Sequence, residues 1–143
     1  MPASLGFEVE LPLDFAAALT ATREALKAEG FGVISEIDFQ AAFKDKLGRE
    51  FRPYTVLGAC NPPLAFAAVN EDPVIGLLLP CNVTVEAQGD HRAVVRLVDP
   101  RTMLAAAPAG LSPTLTAIAE DAHGRIERVA AALRRTGDDT RGV

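Results

Sequence analysis

Hydrophobic and polar positions divide the chain into short alternating stretches and longer helical ones. Phe7, Val9 and Leu11 alternate with Glu8 and Glu10, the period of two expected of a half-buried strand. Asp14 then stands where a helix N-cap belongs. Phe15, Leu19 and Leu26 recur at helical spacing up to Gly30, a residue suited to a left-handed stop. Beyond it, Phe31, Val33, Ile37 and Phe39 are expected on one face of a second strand, with Ile34, Glu36 and Asp38 on the other. The chain therefore begins β-α-β.

Gln40 to Leu47 reads as a short helical turn ended by Gly48, and Tyr54 to Cys60 as a strand entered through Pro53. Pro62 and Pro63 open a short helix through Val69, which Asp72-Pro73 ends. Val74 to Val85 is almost unbroken apolar sequence, expected as an extended segment that is either a central strand or a subunit contact. Gln88-Gly89-Asp90 turns the chain into Ala93, Val95 and Leu97, completing a hairpin that Asp99-Pro100 closes. After an Ala- and Pro-rich link from Ala105 to Gly110, Ser112 caps and Pro113 starts a long helix. Its apolar stripe is Leu115, Ile118, Ala122, Ile126, Val129 and Leu133. The fold class that follows is α+β in two layers: a β-α-β start, antiparallel-rich strands, and a long C-terminal helix on one curved sheet. One domain is expected over residues 1–136, with a polar, disordered tail over residues 137–143.

The length of 143 residues leaves room for a single core. Nineteen acidic residues against fourteen basic ones argue against phosphate neutralisation as a primary role, so no nucleic-acid partner is expected. Arg125, Arg128, Arg134 and Arg135 gather on the last helix, where a solvated face is the simplest reading. No basic, apolar leader opens the sequence and no apolar run reaches membrane-spanning length, so a cytoplasmic protein without membrane contact is expected.

Cys60-Asn61 and Cys81-Asn82 are matching dipeptides, expected at the same end of neighbouring strands. Two close thiols could exchange electrons or give a metal two soft ligands, whereas two separate ones serve as small buried hydrophobes. His91 and His123 stand at no standard zinc spacing from them, so no metal site within one subunit is assigned, and His123 is expected to be structural. Glu36 and Asp38, two apart on a strand and near Lys44 and Lys46, resemble an acid/base pair, but a solvated strand face balanced by surface lysines is the favoured reading. No nucleophile accompanies them and no catalytic residue is assigned. The candidate ligand-binding set is Cys60, Asn61, Cys81, Asn82, Glu36 and Asp38, with no cofactor identified.

Glu36-Ile37-Asp38, Gly58-Ala59-Cys60-Asn61-Pro62-Pro63, Gly76-Leu77-Leu78-Leu79-Pro80-Cys81-Asn82-Val83 and Asp99-Pro100 together resemble the domain of unknown function family number 302, over roughly Phe7 to Leu133. The resemblance implies a TATA-binding-protein-like sheet backed by helices, and a homodimer. The expected function is a noncatalytic domain binding or sensing a small molecule or a metal ion. A thiol-dependent enzyme using Cys60 and Cys81, and a structural partner-binding module, are the alternatives.

Overall fold

The computed structural model describes residues 5–107 and 111–141. Five strands form one antiparallel sheet: β1 (Gly6–Leu11), β2 (Gly32–Asp38), β3 (Tyr54–Cys60), β4 (Cys81–Ala87) and β5 (Ala93–Val98). Their spatial order is β1-β5-β4-β3-β2. The β-α-β start therefore places β1 and β2 at opposite edges, joined across the sheet by α1 (Phe15–Ala28). The Asp14 carboxylate begins that helix by accepting from the Ala17 N–H at 2.8 Å, and Gly30 ends it at φ 85°.

Strand alternation puts Val9, Leu11, Leu57, Val83, Val85, Val95 and Leu97 on one face, where they meet Leu26 of α1 and Ile126, Val129 and Leu133 of the C-terminal helix in one buried core. The two-layer α+β arrangement is as the patterning predicts.

Strand β2 departs from its expected phase. Val33 pairs with Ala59 but Ser35 pairs with Gly58, so Ile34 is an extra residue in a bulge. The bulge inverts the alternation. Val33 packs toward the core, while Ile37, opposite Val56, lies on the other side of the sheet. The expected grouping of Val33 with Ile37 is thus corrected.

The apolar run Val74 to Val85 is not one extended segment. Asp72 accepts from the Val74 N–H at 3.1 Å and Pro73–Leu78 winds into a 3₁₀ turn, so only Cys81 onward joins the sheet. Between α1 and that turn lie two more helices, α2 (Phe39–Leu47) and α3 (Pro62–Glu71). After β5, Asp99 caps a short helix, α4 (Pro100–Leu104), where the sequence suggested only the end of the sheet. The predicted Ala- and Pro-rich link lies partly outside the described residues, at 108–110.

The last helix, α5 (Pro113–Arg141), continues beyond residue 136 into the stretch predicted to be a disordered tail, of which 142–143 lie outside the described residues. Gly137 explains part of this extension. A Cβ at that position would meet Leu11 and Pro12 at 3.5 Å, so the helix is seated against the end of β1 there. Two members of the basic cluster on α5 are paired: Arg125 bonds Asp121 at 2.8 Å and Arg128 bonds Glu29 at 2.8 Å.

A second, smaller cluster joins Ala68, Ile75, Leu104, Leu115 and Ala119 from α3, the 3₁₀ turn, α4 and the start of α5. Helix α5 thus spans both clusters. Its first turns pack in the small one and its later turns against the sheet.

Candidate functional site

A cavity of about 340 Å³ lies where the two clusters meet, between the β3 and β4 ends, α3, α4 and α5. Its walls include Phe31, Cys60, Asn61, Cys81, Met103 and Ile118, and among the described residues no charged side chain lines it. The β2 bulge also contributes, since the extra residue Ile34 stands at this cavity with its side chain largely exposed.

The two Cys-Asn dipeptides come to one end of neighbouring strands, yet the cysteines do not form a thiol pair. Ala59 lies opposite Cys81, whereas Cys60 is one residue further along and pairs with Gly32, on the other side of the pleat. Both cysteines are free. Burial pushes the Cys81 thiol up to about 11, with a smaller push from Cys60, so Cys81 stays protonated at neutral pH.

Asn61 is 8% exposed and caps α3, its Oδ1 accepting from the Leu64 N–H at 3.2 Å. Two prolines follow in the first helical turn, where a missing N–H leaves no helical bond unmade. Asn82 lies apart from this arrangement. It pairs with Gly58 on the opposite face of the sheet from Cys81, and its side chain is exposed.

Glu36 and Asp38 do share a face of β2, opposite Leu57 and Thr55. Each is engaged locally: Glu36 is ion-paired with Arg23 of α1, and Asp38 caps α2 by accepting from the Ala41 N–H at 3.0 Å. Neither lines the cavity. Lys44 pairs with Glu50 instead of with either carboxylate. Among the described residues, no three His, Cys, Asp or Glu side chains gather into a group able to hold a metal ion.

Sequence reasoning missed Asp99 as a junction. Its Oδ1 accepts from the Arg101 N–H at 2.9 Å and lies 2.9 Å from His123 Nδ1, which fastens the cap of α4 to α5. The His123 ring also stands 5.6 Å from that of Phe7. This histidine therefore ties the cavity wall to the sheet layer. The Asp-Pro dipeptide was the available signal, though the partner 24 residues away could not be read from it.

The architecture is that of an antiparallel α+β sandwich with an apolar cavity at one end of its sheet. The chain belongs to the family described as Domain of unknown function DUF302, which matches residues 7–133. An uncharacterised conserved DUF302 protein from Bacillus stearothermophilus, known from its crystal structure, is similar at a TM-score of 0.79 and 28% identity. That match covers 92% of this chain and 100% of the other. No curated protein matches. Among the described residues, no helix is long and apolar enough to cross a membrane.

Proposed function

We propose that this chain is a noncatalytic binding domain that takes a small, largely apolar molecule into the cavity between the sheet end and the α3, α4 and α5 lobe. The observation that carries the reading is the cavity itself, about 340 Å³ with walls free of charged side chains. Its size falls in the ~300–1,000 Å³ range of small-molecule sites, and its mostly apolar lining with one amide matches their usual chemistry. Cys60, Asn61 and Cys81 belong to the site on this reading; Asn82, Glu36 and Asp38 serve the surrounding structure. A small molecule is favoured over a metal ion because the cavity offers two thiols and a thioether but no carboxylate or imidazole.

The thiol-enzyme alternative has less support. A nucleophilic or resolving cysteine needs thiolate, and burial holds Cys81 protonated. A homodimer accompanies the binding reading, supported by exposed apolar side chains on α3 and the 3₁₀ turn, Phe66 at 74% and Leu77 at 86%.

N-phenyl-1-naphthylamine, a neutral dye that brightens in apolar sites, tests the proposal. Ala65 lines the cavity from α3 without being fully buried, so Ala65→Phe should fill space with little strain. Binding to the unaltered protein, weakened by about tenfold or more in Ala65→Phe at unchanged helicity, is the expected result. Absence of binding, or equal binding by both proteins, would remove the cavity as the site.

A further inference from the structure

Resting on that cavity reading, we infer that its occupant carries an aromatic ring, and that the ring is held between the sulfur-bearing side chains of Cys81 and Met103.

The chain contains two cysteines and two methionines. Apart from Met1, all of them line this one cavity, whereas the main core over the sheet contains none among the described residues. Sulfur used for packing alone would have no reason to avoid that larger core. Cys81 is buried and follows the alternation of Val83 and Val85, opposite Ala59, so its side chain stands on the helical side of the sheet. Met103 comes from the other wall, on α4, where it packs against the smaller cluster. Cys60 adds a half-buried thiol at the strand end.

An alkyl chain gains from these walls only what aliphatic walls would give, because its contacts depend on apolar area. An aromatic ring gains more, since a polarisable sulfur beside it strengthens binding by about twofold to tenfold. Cys81 suits this contact because burial keeps it a neutral thiol, with no negative charge set against the π electrons of a ring. Phe31, the one aromatic residue among the described lining, adds a ring for edge-to-face packing. Space agrees. A dry apolar cavity of about 150 Å³ already admits benzene, and the cavity of about 340 Å³ has room for a ring with a side arm or a second ring.

The experiment compares 3-phenyl-1-propanol with 3-cyclohexyl-1-propanol, which differ only in saturation of the ring, as displacers of N-phenyl-1-naphthylamine from the full chain. The cyclohexyl alcohol is the more hydrophobic, so walls that recognise apolar area alone would bind it more tightly. The phenyl alcohol should instead bind at least about threefold tighter. Met103→Leu keeps the wall apolar and nearly the same size while removing the sulfur. It should weaken the phenyl alcohol about twofold to tenfold and leave the cyclohexyl alcohol unchanged. As an independent check on the unaltered protein, the Met103 methyl resonance should be displaced by the ring current of the phenyl alcohol and not by the cyclohexyl one. Equal or tighter binding of the cyclohexyl alcohol, no selective effect of Met103→Leu, or a methyl resonance that responds alike to both compounds would overturn this inference and leave the apolar-cavity reading standing. So would failure of the phenyl alcohol to displace a dye that does bind. No binding of the dye or of either alcohol would overturn the two together.

Discussion

Glu86 illustrates how one residue can tie together the sheet face that carries no long helix. It is buried in β4 between two arginines, bonded by Arg96 Nη1 at 2.6 Å and ion-paired with Arg52, while Arg96 also reaches Glu8 at 2.9 Å. The Arg96 hydrogen bond is the main cause of a Glu86 pKa below its ordinary value of 4.5, opposed by burial and reinforced by Arg52. A depressed carboxylate stabilises the fold fully above that ordinary value and loses its contribution as pH falls through the lower, folded-state pKa. Glu86→Gln should therefore lower stability at pH 7 and flatten the stability profile below pH 4.5, as measured by urea unfolding across pH. Both arginines are about half exposed, so the cost at neutral pH should be modest, about 1 kcal/mol. A profile unchanged by the substitution would show that the carboxylate is not held by its arginines. Alternation alone places Glu86 across the pleat from Val85, but its pairing with Arg52, 34 residues away, depends on which strands become neighbours.

At the scale of elements, helix starts have local causes, yet not all were legible. Asp14, Asp38, Asn61, Asp72, Asp99 and Ser112 each accept from a backbone N–H at the start of a helical turn, four of them followed by proline, but the sequence marks Asp72 and Asp99 only as the ends of the preceding elements. The bulge in β2 and the length of α5 were not legible. The first depends on the hydrogen-bond register with β3, and the second on contact with the end of β1. Gly137 lies within that extended helix, where glycine is unfavourable, and a Cβ there meets Leu11 and Pro12 at ordinary packing distance. Gly137→Ala should stabilise the protein by about 0.5–1 kcal/mol, read as a higher midpoint in thermal unfolding. A lower midpoint would mean that α5 cannot keep its seat against β1 with a side chain at this position.

Across the whole molecule, the cavity is a product of two cores that α5 spans without fully merging them. On one side stand the strand ends carrying Cys60 and Cys81; on the other, α3 and α4 carrying Asn61's helix and Met103. The exposed apolar residues Phe66 and Leu77 belong to the smaller side, which is where a second copy is expected to pack. Light scattering coupled to gel filtration should give the mass of a dimer for the unaltered chain and of a monomer for Phe66→Ser combined with Leu77→Ser, with helicity unchanged. A monomer in both cases would remove the dimer from the proposal.

The chain by itself determined the strands and the longer helices, most helix starts and the face of each strand up to the bulge, because these follow from side-chain period and from capping within a few residues. Only the tertiary structure decided that the two cysteines are separate wall residues, that Glu36 is committed to Arg23, and that Asn61, while capping α3, lines an apolar cavity. Those outcomes depend on register and on packing between elements distant in sequence, and neither is encoded in the spacing of residues along one strand or helix.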